Sequence, residues 1–379
     1  MEFLNHPIHD NEPQWVAGFM SGTSLDATDA ALILTDGERV LEFGPVAERK
    51  YTAKERQVLQ DATDAARAWN WTGPAPEEAF EAARKVVTET HAEVWQVLRQ
   101  GGGKGVAVPL AGVHGQTVLH RRPRPDAPGA TLQLIDPVAL QTALGIQLAY
   151  DFRSADVAAG GHGAPLAPVY HGALLDRAGD GASAVLNLGG VANITARMAD
   201  GTLFAFDTGP ANGPIDEWVA AHGKGTHDEG GAFASAGQAQ EGLLAQLLDH
   251  DWFRELPPKS LDRYDFNAGM ARGLSFEDGA ATLTAFSARA VAKGVAQLPD
   301  APQRVIVCGG GRHNPAMMAA LRAALPCPVL SAEDAGWRGD SIEAEAFAFL
   351  AARTVRGLPL SWPTTTGVPA AMTGGRLKG

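Results

Sequence analysis

Short apolar runs that end in glycine-rich turns recur three times along the chain. The first leads from Val16-Ala17-Gly18-Phe19-Met20 into Ser21-Gly22-Thr23-Ser24-Leu25-Asp26. The second leads from Ala184-Val185-Leu186-Asn187-Leu188 into Gly189-Gly190-Val191-Ala192-Asn193, and the third from Arg304-Val305-Ile306-Val307-Cys308 into Gly309-Gly310-Gly311-Arg312-His313-Asn314. Each run predicts a buried strand, and each glycine turn lets backbone N–H groups approach a ligand with no Cβ in the way. Convergent N–H groups suit phosphate oxygens. Three such loops, two of them in similar surroundings, point to a nucleotide held by two related lobes.

The pattern around the loops predicts strand, glycine loop, strand, Asp36-Gly37 turn and strand over residues 15–46. From Pro76 to Gln100, Phe80, Ala83, Val87, Val94 and Leu98 follow helical spacing, with Gly101 as the stop. A strand over 106–113 leads into His114-Gly115-Gln116-Thr117, followed by a helix over 138–144 and a strand over 147–150 that ends at Asp151-Phe152-Arg153. The opening order then repeats as strand 183–188, the Gly189-Gly190 loop, strand 191–197, an Asp200-Gly201 turn and strand 202–206, a structural duplication. Helices are expected at about 213–222, 235–249 and 277–297, a strand at 304–308, and helices over 314–325 and 342–356 before a tail rich in Pro, Thr and Gly. The expected division is 15–147 plus 345–379 as one lobe, 148–344 as the other, and 1–14 as a polar extension.

Composition narrows the function. At 379 residues, two domains are the default. Hydrophobic residues at 45% and charged ones at 20% describe a soluble globular protein. A net charge of −12 argues against a general nucleic-acid or membrane-surface binder, although a phosphorylated small molecule needs only local donors. Cys308 and Cys327, the only cysteines, make neither a disulfide framework nor a zinc site and fit a reducing cytoplasm. His114, His162 and Asp151 match no zinc spacing. Neither a signal-peptide core nor an apolar stretch of membrane-spanning length is expected.

Seven motifs in order carry a more specific signal. They are Gly22-Thr23-Ser24-Leu25-Asp26, His114-Gly115-Gln116-Thr117, Asp151-Phe152-Arg153 with Asp156, Gly163-Ala164-Pro165-Leu166, Asn187-x-Gly189-Gly190-x-x-Asn193, Phe206-Asp207-x-Gly209-Pro210-x-Asn212 and Pro257-Pro258-Lys259-Ser260. From about residue 15 to 375 the chain resembles the anhydro-N-acetylmuramic acid kinases. The resemblance implies a two-lobed actin-like (hexokinase/Hsp70 superfamily) α/β fold with a duplicated sheet-plus-helices core and an interlobe nucleotide cleft. It implies the conversion of 1,6-anhydro-N-acetylmuramic acid, ATP and water to N-acetylmuramic acid 6-phosphate and ADP, in cell-wall recycling. It also implies Mg²⁺ and a homodimer.

In the anhydro sugar, O6 is tied to the anomeric carbon, so water must attack that carbon while O6 leaves and takes the γ-phosphoryl group. A carboxylate beside the water serves as general base. Asp207 is expected to be that base, just past a strand and leading a Gly-Pro turn; its plainer role is to bond its own backbone in the turn. Gly22, Thr23, Ser24, Leu25, Asp26, Ala27, Thr28 and Asp29 are assigned to the β- and γ-phosphates, with Asp26 and Asp29 meeting Mg²⁺ through water. Gly189 and Gly190 are assigned to the phosphates as well, and Gly309, Gly310 and Gly311 to the adenosine part. His114, Gln116, Arg153 and Glu343 are candidate sugar contacts, with the fork of Arg153 suited to the lactyl carboxylate. The plainer roles are an ion pair of Arg153 with Asp151 or Asp156, and an exposed helix acid at Glu343.

The chain departs from the family at Ala27 and Ala211, where glycine is usual, at His162 in place of glutamine, and at Leu261-Asp262-Arg263-Tyr264. An alanine is strained if its position needs φ > 0. The alternatives are therefore a same-fold kinase for another amino sugar, or a non-catalytic nucleotide- or sugar-binding regulator. A serine hydrolase is disfavoured, since no Gly-x-Ser-x-Gly elbow contains Ser21 or Ser24.

Overall fold

A computed structural model describes residues 12–103, 105–124, 127–179, 181–261 and 265–379. Its contacts divide the chain into two compact units, Met1–Arg177 with Ser341–Gly379, and Ala178–Asp340.

In the first unit, β1 (Gln14–Ser21), β2 (Ala27–Thr35) and β3 (Val40–Lys50) form an antiparallel meander. Helices α1 (Ala53–Trp69) and α2 (Glu77–Gln100) lead to β4 (Leu110–Arg121), which lies parallel to β1. Strand β5 (Ala130–Leu134) turns back on β4, and α3 (Pro137–Leu144) leads to β6 (Gln147–Tyr150), parallel to β4. Helices α4 (Ser154–Ala158) and α5 (Pro168–Arg177) follow.

The second unit repeats the plan. Strands β7 (Ser183–Leu188), β8 (Val191–Arg197) and β9 (Leu203–Pro210) form the meander. Helices α6 (Asn212–Ala221), α7 (Ala232–Ala236), α8 (Glu241–Leu248) and α9 (Phe276–Val295) intervene before β10 (Val305–Cys308), which is parallel to β7. Helix α10 (Pro315–Ala324) then leads to β11 (Val329–Ser331), parallel to β10. The chain returns to the first unit with α11 (Ile342–Val355) and β12 (Arg376–Lys378), which pairs with β6. The sheet orders β6-β4-β1-β2-β3 and β11-β10-β7-β8-β9 are one topology used twice, a duplicated sheet-plus-helices core.

Two glycines decide where α11 sits. Gly18 on β1 and Gly112 on β4 are register partners. A Cβ at Gly18 would lie 1.9 Å from the carbonyl oxygen of Ala344, and one at Gly112 would lie 1.9 Å from that of Phe347. The helix backbone therefore rests on bare strand, which a side chain at either position would forbid. This close approach fixes the start of α11, and with it Glu343. On the other face, Phe19, Leu32 and Val113 bury against Trp95 and Leu98 of α2. In the second unit, Leu186, Ile194 and Phe206 bury against Leu283 and Val291 of α9 and Met317 and Leu321 of α10.

Several expectations need correction. The division falls after Arg177 and after Asp340, so 148–177 and 341–344, with Arg153 and Glu343, belong to the first unit. Of the extension expected over 1–14, Gln14 already begins β1, and 1–11 lie outside the described residues. His114 to Thr117 continue β4 rather than follow it, with Gln116 paired to Ser21 of β1 and Gln116 and Thr117 paired to Leu134 and Gln133 of β5. Asp207 lies within β9 rather than past its end. The helix expected over 235–249 is broken between Gly237 and Gln240, where a Cβ on Gly237 would meet the Glu277 carbonyl oxygen at 2.0 Å.

Candidate active site

Residues 22–26 close the β1–β2 hairpin. The Leu25 N–H donates to the Gly22 carbonyl at 3.3 Å. Leu25 takes φ 57° and buries its side chain, while Thr23, Ser24 and Asp26 are exposed. Asp26 lies 3.3 Å from an Arg56 Nη2, and Asp29 is half-buried on β2. Ala27 opens β2 outside the left-handed region, so its Cβ carries no backbone strain.

Behind this turn lies a buried chain of polar groups. Ser21 Oγ donates to Gln116 Oε1 at 2.5 Å, and lies 2.7 Å from the Tyr51 hydroxyl, to which Thr28 Oγ1 donates at 2.9 Å. Because Ser21 spends its proton on Gln116, Tyr51 must donate to Ser21. Gln116 Nε2 in turn donates to the carbonyls of Gly22 and Thr117, both at 3.3 Å. The Tyr51 N–H holds the Asp26 carbonyl at 2.9 Å. Gln116 and Thr28 are 0% exposed, so their side chains brace the turn rather than offer a ligand contact.

Arg153 is half-buried and held at three points. Its Nε and Nη2 donate to His114 Nε2 at 3.1 and 3.0 Å, and Nη1 donates to the Gly163 carbonyl at 2.7 Å. That arrangement puts the His114 lone pair on Nε2 and its proton on Nδ1. Burial, then the neighbouring Arg153 charge, holds the His114 pKa well below the usual histidine value. Burial likewise lowers the Arg153 pKa to about 10, against the pull of Glu343, which leaves it a cation at neutral pH. Glu343 keeps accessible surface, yet the protein crowding around it raises its carboxyl above the ordinary range, with Arg153 opposing. The guanidinium bonds go to His114 and Gly163 rather than to Asp151 or Asp156. Of the four expected sugar contacts, Arg153 and Glu343 are accessible; His114, at 5% exposure, and Gln116 stand behind the surface.

In the second unit, Cys308, Asn187, Asn193 and Asp207 are successive register partners across β10, β7, β8 and β9. The register shifts at Asn193, leaving Thr208 as an extra residue beside Asp207. Such a bulge re-aims the neighbouring side chain, a device common beside active sites. One oxygen of Asp207 accepts the Leu261 N–H at 2.8 Å, and the Asp207 N–H donates to the Lys259 carbonyl at 2.9 Å. Lys259, given no role by sequence reasoning although its motif stood out, is buried with Nζ 4.3 Å from the Trp252 ring centre. Burial lowers its pKa.

The glycine loops fall into two kinds. At Gly309, φ is 75° and a Cβ would lie 2.3 Å from Asn187 Oδ1; at Gly311 a Cβ would lie 2.6 Å from Leu188 Cβ. The fold needs glycine at both. At Gly22 and Gly189 a Cβ would meet its nearest atom at an ordinary 3.5 Å, and at Gly190 and Gly310 it would meet nothing within 4 Å. None of these four has positive φ, so neither turn nor packing demands glycine there. The carbonyl of Gly189 accepts the Asn212 N–H at 3.0 Å, and that of Gly190 accepts those of Ala211 and Gly213 at 3.0 and 3.1 Å, tying the hairpin tip to the start of α6. Ala211, at φ −123°, tolerates its Cβ. After the third loop, Arg312 is buried between Glu333 and Asp340 at 2.9 and 2.8 Å. A pocket of about 430 Å³ in this unit is lined by Lys224, Gly225, Thr226, His227, Glu229 and Phe233. A Cβ at nearby Gly231 would meet Asn314 Oδ1, which caps α10 just after that loop.

The family model described as anhydro-N-acetylmuramic acid kinase matches residues 14–378. The chain is 54% identical over 366 residues to an anhydro-N-acetylmuramic acid kinase of Caulobacter vibrioides, covering 96% of this chain and 98% of that one. It is 52% identical over 369 residues to one of Rhizobium rhizogenes, covering 97% and 99%. Among solved structures, the activator of the 2-hydroxyisocaproyl-CoA dehydratase from Clostridium difficile with bound ADPNP is similar at a TM-score of 0.43 and 12% identity, over 91% of this chain and 96% of that one. With the match running from β1 to β12 and half of all residues identical, the chain belongs to the anhydro-N-acetylmuramic acid kinase family.

Proposed function

We propose that the protein uses ATP and water to open and phosphorylate 1,6-anhydro-N-acetylmuramic acid, with Asp207 as general base. A water oxygen bonds to the anomeric carbon as the bond from that carbon to O6 breaks. O6 takes the γ-phosphoryl group from ATP, ADP leaves, and the water proton passes to Asp207. The observation that carries this reading is the placement of Asp207. It sits on the bulge of β9, in one register line with Asn187 and Asn193, which flank the Gly189-Gly190 loop.

Gly22 and the exposed Thr23 and Ser24 serve the β- and γ-phosphates, Gly189 and Gly190 the phosphates as well, and Gly309 to Gly311 the adenosine part. Gly22, Gly189, Gly190 and Gly310 leave bare backbone where the fold does not ask for it, as close approach of phosphate requires. Of Arg153's five N–H donors, three are engaged among the described residues, which leaves one on each terminal nitrogen for the two oxygens of the lactyl carboxylate. Among the described residues no three His, Cys, Asp or Glu side chains converge on a metal-sized site. Mg²⁺ does not need such a cage, because it keeps waters and binds through one or two carboxylates and phosphates. Exposed Asp26 and half-buried Asp29 fit that mode through water. Mg²⁺ would neutralise charge on the phosphates when bound.

The ordinary φ of Ala27 and Ala211 removes the strain that favoured a non-catalytic regulator. No helix among the described residues is long and apolar enough to cross a membrane; a cytoplasmic homodimer is part of the proposal. ADP release from Mg-ATP with the anhydro sugar, beside N-acetylmuramic acid and N-acetylglucosamine, tests the reading. Turnover of the anhydro sugar alone supports it, and turnover of open sugars alone refutes it.

A further inference from the structure

The loop that holds Arg153 is itself held by a distant part of the chain. Arg153 donates to the carbonyl of Gly163, and the N–H of that same residue donates to Asp156 Oδ1 at 2.6 Å. Asp156 is 3% exposed, and its other oxygen accepts the hydroxyls of Ser361 and Thr366, the latter at 2.6 Å. Both hydroxyls lie beyond α11, roughly two hundred residues later, and are 1% and 0% exposed. The carbonyl of Thr366 also accepts the His162 N–H at 2.7 Å. Gly161 leaves no room for slack, since a Cβ there would stand 2.2 Å from Asp156 Oδ1 and 2.5 Å from Val368 Cγ1. Residues 161–163 are thus clamped between α4 and the segment 361–368.

We propose that Ser361 and Thr366 are positioning residues for the sugar site, acting through Asp156 and Gly163 on Arg153. The inference rests on the reading that Arg153 meets the lactyl carboxylate. The Asp156 carboxylate, gathering three donors, fixes the 162–163 peptide through the Gly163 N–H, and the carbonyl of the same residue, in the next peptide, fixes one terminal nitrogen of Arg153. Removing a donor lets the peptide turn, and a fork aimed at two carboxylate oxygens tolerates little rotation. A hydroxyl that only stabilised the fold would change neither substrate's KM selectively.

Steady-state kinetics of Ser361→Ala, Thr366→Val and Thr366→Ser test this on two sugars. One is 1,6-anhydro-N-acetylmuramic acid; the other is 1,6-anhydro-N-acetylglucosamine, which lacks the carboxylate and is used as substrate or competing ligand. Thr366→Val should raise the KM of the acidic sugar about tenfold, leave ATP and the neutral sugar unchanged, and be rescued by Thr366→Ser. If that variant does not fold, Ser361→Ala carries the same comparison. An equal rise for both sugars, or none, overturns the inference. Arg153→Lys separates the two layers. If it leaves the acidic sugar's KM unchanged, the carboxylate reading fails and the inference with it. If it raises that KM while the hydroxyl variants do not, the positioning role alone fails.

Discussion

Arg153 gives its Nε–H and an Nη2–H to one imidazole nitrogen, Nε2 of His114, at 3.1 and 3.0 Å. A histidine can accept there only while neutral. Its pKa is held well below the usual value, chiefly by burial and secondly by the charge it accepts from.

This relationship has a pH consequence. Because His114 is depressed rather than raised, protonation sets in only well below pH 6.5, and sugar binding should weaken only there. The sugar KM should stay flat from about pH 6 to 8, while His114→Leu raises it about tenfold and leaves the ATP KM unchanged. An inflection near pH 6.5 that His114→Leu abolishes would contradict the account.

Gln116 should act on the nucleotide and not on the sugar. Its amide is shared among Ser21 and the carbonyls of Gly22 and Thr117, with no exposed surface. Gln116→Leu leaves the Ser21 hydroxyl and a loop carbonyl unpaired, at a cost of about 1–3 kcal/mol in stability. Kinetics should show the ATP KM raised and the sugar KM unchanged; a sugar-specific defect would restore the contact role.

The two kinds of loop glycine should separate in a stability measurement. Gly190→Ala adds a methyl to open space at an ordinary φ, so thermal unfolding should move by less than about 0.5 kcal/mol, while ATP binding weakens. Gly309→Ala forces a Cβ into Asn187 at a φ of 75°, and should cost about 1–3 kcal/mol. Equal stability losses would show that both glycines serve the fold alone.

Much of this was legible in the chain. The alternation of short apolar runs and Asp-Gly turns marks both meanders, and the motifs mark Asp207, Arg153 and the loops. Helix α1 was missed, although its capping box of Thr52 and Glu55 is a local signal. What failed depends on contacts distant in sequence. The strand character of Gln116 and Thr117 comes from pairing with β5, whose Leu134 and Gln133 lie beyond a turn. Glu343 joins Arg153's unit because Gly18 and Gly112 admit the α11 backbone. The interior roles of Gln116 and His114 follow from Ser21 and Arg153, ninety-five and thirty-nine residues away. Such partners leave no periodic trace.

His91 should make the fold acid-sensitive. It is fully buried on α2 near Phe19, with Nδ1 2.6 Å from the Val87 carbonyl oxygen and a pKa lowered to about 4 by burial. The unfolded chain holds its proton below about pH 6.5, so stability from this site is complete above that value and falls as pH drops toward 4. The loss is at most about 1.4 kcal/mol per pH unit. Denaturant unfolding at about pH 4.5 and 7 should show His91→Leu losing less stability between them than the native protein; an equal loss would place the sensitivity elsewhere.

The central claim is that Asp207 accepts the proton of the attacking water, and Asp207→Asn tests it most directly. Its amide oxygen can still accept the Leu261 N–H, so the bend of β9 should survive. ADP release with the anhydro sugar should fall by at least about a hundredfold, while ATP binding and thermal unfolding stay close to native. An Asp207→Asn protein that turns over the anhydro sugar at the native rate would contradict the account.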